Sequence, residues 1–478
     1  MGPESASARE RREAAVRAAV RDGLVDARHP VAGLLDVRGI REAVAALRAA
    51  FEEVAAPGTE VLHAFAVKAA SLVPVLRLLA DEGMGCEVAS AGELALARAA
   101  GVGPGRTVLD SPAKTDAELR EALALGVAVN ADSRQELARL DALVGSAPTA
   151  SVLGVRVNPQ LGPGSIGAMS TATETSKFGV ALRDEGARAW LVRAFVERPW
   201  LTRMHAHVGS QGCPPELMAE GVRTTYELAE EVNRAVGGQR VRTLDIGGGL
   251  PVNFASEEVT PSFRDYARLL DVTVPALFDG RYGLVTEFGR SLLAKSGTVL
   301  ARVEYAKSAG GRRIAVTHAG AQVAARTVFA PAAWPLRVAA FDAEGWPKEG
   351  EPVPQDVAGP CCFAGDLVAV DRPLPLLEPG DHVALLDTGA YYFSNHFAYN
   401  SLPRPGVYGY ASAEGRTEDF PEGYGERGGH GEREGPRERG GRRSGPDVRF
   451  VPVRRPQSLD ELVEESGGTL APGLTALR

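Results

Sequence analysis

The sequence predicts an α/β protein: a (β/α)8 TIM-like barrel followed by a second, mostly antiparallel β-domain. Between residues 36 and 300, short apolar runs alternate with amphipathic helical stretches. Eight such runs can be counted, the number that closes a barrel. Beyond residue 300 the texture changes to extended runs separated by Pro/Gly turns.

The elements follow in order. Residues 1–35 read as an N-terminal extension, charged and alanine-rich, without the apolar core of a signal peptide. The barrel, expected over 36–300, takes its strands from 61–67, 85–89, 106–110, 127–130, 152–157, 202–208, 242–246 and 283–287. The intervening helices carry their own start signals. Ser90 with Glu93, Thr115 with Glu118, and Ser133 with Glu136 have capping-box spacing, and Gly101 and Gly126 stop the first two helices. Pro214 and Pro215 open a long helix that ends near Gly237. Residues 301–478 form the expected β-domain, with runs such as GTVLARVEYAK, RRIAVTHAG, DHVALLDTG and VRFVPVRR. It is interrupted at 412–445 by an insert poor in apolar residues and rich in Gly, Arg and Glu, which predicts disorder. Its glutamates cancel much of the charge that an RNA-binding Arg-Gly tract would need. Ordered sequence resumes at Val448, and SLDELVEE reads as a final helix capped by Ser458.

Composition narrows the function. With 478 residues, 44% hydrophobic and 24% charged, the chain has the make-up of a two-domain globular protein. A net charge of -8 argues against nucleic acid as a partner, and no apolar run is long enough for a bilayer. The expected compartment is the cytoplasm. Cys86, Cys213, Cys361 and Cys362 show no Cys-x-x-Cys spacing, so neither a disulfide framework nor a metal site is expected.

The motifs sort to one end of the barrel. Lys68, Glu87, Asp110, Asn130, Arg156, His207, Gly247 and Glu287 fall at or just past the C-terminal ends of successive strands, where barrels build active sites. A lysine there can form a Schiff base with the aldehyde of pyridoxal 5'-phosphate (PLP). Gly247, Gly248 and Gly249 leave amides free to approach a phosphate, Ser210 can donate to it, and Gly289 and Arg290 follow the eighth strand, a frequent phosphate position. Glu287 can hold a proton on the pyridine nitrogen, and His207 can stack on the ring.

On these motifs the chain resembles the fold-type III PLP-dependent decarboxylases, the family of diaminopimelate, ornithine and arginine decarboxylases, with the diaminopimelate branch most similar. The resemblance covers roughly 35–410 and 447–465. It rests on AVKA with Lys68, HVGS with His207 and Ser210, the triple glycine, EFGR with Glu287 and Arg290, Arg156 in GVRVNP, SKFG at Ser176–Gly179, Tyr391 in DTGAY, and YNSLPRP. Phe288 stands where the family's Glu-Pro-Gly-Arg motif has proline. The resemblance implies an alanine-racemase-like fold, PLP as cofactor with Glu87, Arg156 and Tyr391 in the cofactor-binding set, and a small amino-acid substrate. It also implies a homodimer with shared active sites, Lys68 from one subunit and Cys362 and Tyr391 from the other. Lys68, Cys362 and His207 are the expected catalytic residues, with Cys362 the proton donor. A racemase would share the barrel, but that group usually places arginine rather than glutamate at the pyridine nitrogen.

The departures bear on the substrate. Where diaminopimelate decarboxylases carry Cys-Glu-Ser-Gly-Asp, this chain has Cys362, Phe363 and Ala364 before Gly365 and Asp366. In the family that glutamate is associated with the distal amino group of diaminopimelate. A phenylalanine accepts no hydrogen bond from an ammonium, and an unpaired buried charge is costly. Arg326 is retained from the family's Arg-Pro-x-x-Tyr stretch, whereas Ala330 replaces its tyrosine. Arg290, Arg326, Cys362, Phe363 and Tyr391 form the expected substrate set. The expected activity is decarboxylation of an amino acid with a distal acidic group in specialised metabolism. The alternative is diaminopimelate decarboxylation for lysine synthesis.

Overall fold

The computed structural model describes residues 7–145, 149–167, 171–412 and 448–468. The first barrel helix shows how local sequence sets the architecture. In Val37–Val54 the residues Ile40, Val44, Leu47 and Phe51 recur every three or four positions and are buried on one face. The Asp36 side chain caps this helix by accepting from the Gly39 amide. Further on, Thr115 and Glu118 form a complete capping box, and left-handed glycines end two helices at Gly126 and Gly237.

Eight parallel strands close into the expected barrel: Val61–Ala66, Gly85–Val88, Thr107–Leu109, Ala128–Ala131, Leu153–Asn158, Leu201–His205, Thr243–Asp245 and Gly283–Thr286. Closure runs through pairing of the eighth strand with the first, Leu284 opposite Val61. The short strand Val180–Ala181 is added beside Leu153–Asn158.

The second sheet has nine strands in the order Leu367–Leu374, Val353–Ala358, Arg312–Thr317, Gly297–Ala309, Val31–Asp36, Gly406–Ser412 and Val448–Arg454, with Val338–Phe341 and His382–Leu386 off this path. Most of its pairings are antiparallel; Val31–Asp36 with Gly406–Ser412 and Arg312–Thr317 with Val353–Ala358 are parallel. The final helix, Leu459–Glu465, carries the expected capping box from Ser458. The insert expected at 412–445 lies, from residue 413 onward, outside the described residues.

Two expectations about boundaries are corrected. Residues 1–35 were set apart as an extension, yet helix Ala8–Arg21 and strand Val31–Asp36 are built into the second sheet. The alanine face of the helix explains it. Ala14, Ala15, Val16, Ala18 and Ala19 are buried against Leu34, Leu300, Phe341, Leu386 and Tyr410. The expected division at 300/301 falls inside the continuous strand Gly297–Ala309, which lies wholly in the second sheet.

Asp36 also receives the Arg11 Nε at 2.7 Å, with both side chains buried. One carboxylate thus caps the first barrel helix and pins the N-terminal helix. Arg11→Ala leaves that carboxylate buried without its main cation, which costs roughly 3–5 kcal/mol. The expected outcome is a clear fall in the denaturant midpoint, partly recovered in Arg11→Ala/Asp36→Asn. Equal midpoints for wild type and Arg11→Ala would show that the pair contributes nothing.

Candidate active site

The strand ends deliver their side chains to one cavity of about 330 Å³, lined by Lys68, His207, Ser210, Gly249, Glu287, Gly289, Arg290, Arg326 and Tyr391 among others. Lys68 stands in the turn Val67–Ala69 that follows the first strand, and its Nζ lies 2.5 Å from Glu87 Oε2. Burial lowers the Lys68 ammonium, but Glu87, Tyr391 and Glu287 outweigh it and hold the group above its ordinary range.

Glu287 ends the eighth strand. Burial disfavours its charge, yet His205 and His207 keep it far below the ordinary carboxylate range. His205 is the last residue of the strand Leu201–His205 and His207 lies two residues further on, so both reach the barrel mouth. His207 Nδ1 lies 3.2 Å from Glu287 Oε2 and 3.3 Å from the Gly248 nitrogen. Burial lowers its pKa, leaving a neutral ring. His205 is fully enclosed, with Nδ1 3.3 Å from Asp110 Oδ2 and Nε2 3.6 Å from Glu287 Oε2. Burial lowers its pKa too, but Asp110, Glu287 and Asp245 raise it further, to about 9. The outcome is an imidazolium between two carboxylates.

The glycines are demanded by crowding. A Cβ on Gly248 would sit 2.1 Å from the Glu287 carbonyl oxygen. Gly249 has φ +94, and its Cβ would sit 2.7 Å from the Gly209 oxygen. The seventh-strand loop can therefore lie directly against both neighbouring loops. On the other wall, a Cβ on Gly389 would fall 1.8 Å from the Leu293 oxygen. That close approach sets Tyr391 over the cavity, in a left-handed backbone (φ 67), its amide donating to the Ala69 oxygen at 2.7 Å.

Some expected residues stand behind the cavity wall. Glu87 backs Lys68, and Gly247 and Gly248 lie under the lining. Arg156 pairs with Asp110 at 3.2 Å, its guanidinium carbon 4.5 Å from the centroid of the cavity-lining Phe178 ring. Cys362 and Phe363 do not reach the cavity of their own chain. Cys362 is exposed, its amide donating to Asn400 Oδ1. Phe363 stacks on Phe329 and meets Tyr399 edge-on, in a four-ring cluster with Phe397. Tyr391 is a correction: it was expected to come from a second subunit, yet it lines the cavity that holds Lys68 of the same chain.

Sequence reasoning assigned no role to His205, Asp245 or Trp334. The signal for His205 was present in HAHVGS, two residues before His207. Trp334, in an Ala/Pro-rich stretch, carried none.

A lysine, an ionised carboxylate opposite a neutral imidazole, and unpartnered guanidinium groups around one cavity define the class of a pyridoxal-type active site. Comparison with known proteins agrees. The sequence profile described as "Pyridoxal-dependent decarboxylase, pyridoxal binding domain" matches residues 38–294. Diaminopimelate decarboxylase of Aquifex aeolicus is 31% identical over 366 residues, 76% of this chain and 83% of that protein. The Pseudomonas aeruginosa enzyme of the same name is 34% identical over 347 residues, 72% of this chain and 80% of that protein. Among solved structures, Helicobacter pylori diaminopimelate decarboxylase complexed with L-lysine superposes with a TM-score of 0.73 at 26% identity, covering 92% of this chain and 97% of the other. The chain belongs to the pyridoxal-dependent decarboxylase family, near the diaminopimelate decarboxylase branch. It is a PLP-dependent amino-acid decarboxylase.

The residues present fit that cofactor. Arg290 Nε, Nη1 and Nη2 and Glu287 Oε1 are buried without a hydrogen-bond partner among the described residues. An anion and a protonated ring nitrogen are what these atoms lack. No described helix is long and apolar enough to cross a membrane.

His205 supplies a pH test. Its folded pKa of about 9 lies above the ordinary 6.5, so its stabilisation is full below about pH 6.5 and is lost as pH rises through about 9. The integrated effect is at most about 3 kcal/mol. Asp110, Glu287, Asp245 and His207 all face it. Wild-type apoprotein is expected to lose stability across that window, and His205→Gln to show a flatter profile. Parallel profiles would refute the imidazolium assignment.

Proposed function

We propose that this decarboxylase acts on an amino acid bearing a distal acidic group and no distal ammonium, and that it works as a homodimer whose active sites are shared. The observation that carries the substrate reading is the cationic corner. Arg290 and Arg326 line the cavity with nitrogens that have no hydrogen-bond partner among the described residues, while the one carboxylate described in the lining, Glu287, is already met by His205 and His207. Phe363, at the position of the family's amine-reading glutamate, is held among three other rings and accepts no hydrogen bond.

Lys68 offers the amine that attaches the cofactor. Arg290, Ser210 and the Gly249 loop would hold its phosphate, Glu287 would meet the ring nitrogen as an anion, and neutral His207 would lie against the ring. Glu87 and Arg156 brace this set from behind. When bound, the cofactor supplies an electron sink for the pair left behind as the α-carboxylate departs as CO2. A proton then replaces the carboxylate at the α-carbon, and Cys362 delivers it. Because Cys362 is exposed and outside its own chain's lining, that donor comes from a second copy. The exposed rings of Phe329 and Tyr399 beside it supply apolar surface for such a contact. Four free cysteines suit a reducing compartment, the cytoplasm.

The dimer reading has a direct test. Lys68→Ala loses covalent cofactor attachment, read by borohydride reduction and peptide mapping. Cys362→Ala keeps the cofactor but loses about a hundred- to ten-thousand-fold in turnover. Mixed and re-equilibrated, the two inactive variants should regain activity through heterodimers with one intact site. No regain, with mixed dimers demonstrated, would place the donor and Lys68 in the same chain.

The rival is decarboxylation of diaminopimelate itself, the activity named for the matched relatives. Loss of a charged hydrogen-bond partner costs about 1.5–3 kcal/mol, roughly ten- to a hundred-fold. Steady-state CO2 release is expected to favour glutamate-like or polyacid-acylated amino acids over meso-diaminopimelate by such a factor. Diaminopimelate as the best substrate by a wide margin would establish the rival.

A further inference from the structure

Two guanidinium groups share one corner of the cavity. Arg290 opens the short helix Arg290–Leu293, and Arg326 lies on the helix Ala321–Phe329. Nε, Nη1 and Nη2 of Arg290 and Nη1 of Arg326 are buried without a hydrogen-bond partner among the described residues. Like charges this close repel, and burial together with Arg326 lowers the Arg290 pKa to about 10, against an opposing pull from Tyr391. Arg290 stays charged at neutral pH, so something must offset the repulsion between the two guanidinium groups.

Two aromatic faces are available. The guanidinium carbons of Arg290 and Arg326 lie 4.4 and 5.0 Å from the Trp334 ring centroid, and 4.4 and 4.7 Å from that of Tyr391. Each cation thus meets both rings, and a ring face attracts a cation through its quadrupole. Tyr391 lines the cavity, whereas Trp334 stands behind the two arginines, 5% exposed. The indole is itself fixed. Phe254, in the loop after the glycine run, meets it edge-on at 6.4 Å, and the Trp334 amide donates to the Ala330 oxygen at 3.0 Å. Ala330 is the position where the resemblance expects a tyrosine. The corner has lost that ring and has an indole one turn further on.

We propose that Trp334 is a positioning residue that holds Arg290 and Arg326 side by side, so that the corner receives two anionic groups at once, the cofactor phosphate and the distal acid of the substrate. The substrate half rests on the reading of an acidic substrate given above. The cofactor half does not, and this separates the two in the test.

The test uses the full-length protein. Pyridoxal phosphate and pyridoxal are titrated against the apoprotein, and glutarate, a dicarboxylate without an amine, against the holoenzyme. Trp334→Leu is expected to lower the preference for pyridoxal phosphate over pyridoxal, and the glutarate affinity, each by about ten-fold. Trp334→Phe, which keeps a ring face, is expected to recover much of both. The KM for the best acidic substrate should rise with kcat nearly unchanged. If glutarate fails to bind wild type while Trp334→Leu still loses the phosphate preference, the acidic-substrate reading falls and the role of Trp334 stands. If neither quantity moves in Trp334→Leu, the proposal is overturned. Should that variant not fold, fluorinated tryptophans placed at all four tryptophan positions decide it. Of the other three, Trp190 and Trp346 lie against Arg134 and Arg17 rather than against Arg290 and Arg326. Stepwise loss of both affinities with fluorine count is expected, and a flat response overturns the proposal.

Discussion

A carboxylate kept ionised inside a barrel is the constraint on which this site depends. Glu287 is almost fully enclosed, and its charge persists because His205 and His207 meet it. His205 is charged because Asp110 on its far side, together with Glu287 and Asp245, outweighs its burial, and Asp110 is in turn paired with Arg156. Lys68 and Glu87 add a second pair, and Asp245 lies near Arg203 and His205. The interior of the barrel mouth is a chain of alternating charges, each stabilised by the next. In a medium of low polarisability, the removal of one member is felt by the others.

This explains why every strand delivers a polar group to the same end. Asp110, Arg156 and Asp245 lie outside the cavity lining; Asp110 and Asp245 hold the charge on His205, and Arg156 pairs with Asp110. The glycines make the same point in backbone terms. Gly248 and Gly389 let loops from different strands and from the second sheet touch, which brings Tyr391 within reach of Lys68.

Much of this was legible in the sequence, for a physical reason. Parallel strands buried on both faces read as short apolar runs, and helix caps announce themselves locally, so the eight strands and Lys68, His207 and Glu287 could be placed from neighbours in the chain. What could not be read depends on distant partners. The alanine face of residues 8–21 gives no hint that it meets Leu300 and Leu386. His205 looks like an ordinary core histidine until Asp110 is set beside it. Trp334 becomes meaningful only when two arginines from separate helices lie against it. Tyr391 was assigned to the wrong subunit because the close approach of Gly389 to Leu293 is a property of packing, not of motif.

The placement of Val31–Asp36 between Gly297–Ala309 and Gly406–Ser412 has a consequence for synthesis. The strand leaves the ribosome long before its neighbours Gly297–Ala309 and Gly406–Ser412. The barrel can close while that strand still shows bare amide and carbonyl edges. Such an edge is sticky and invites pairing with other nascent chains. Here the strand is brief, and Asp36 at its end is already bound to Arg11 of the preceding helix. The helix Ala8–Arg21 packs on one face of that strand and shares its carboxylate, so the part of the sheet made first carries its own cover before Gly406–Ser412 is added.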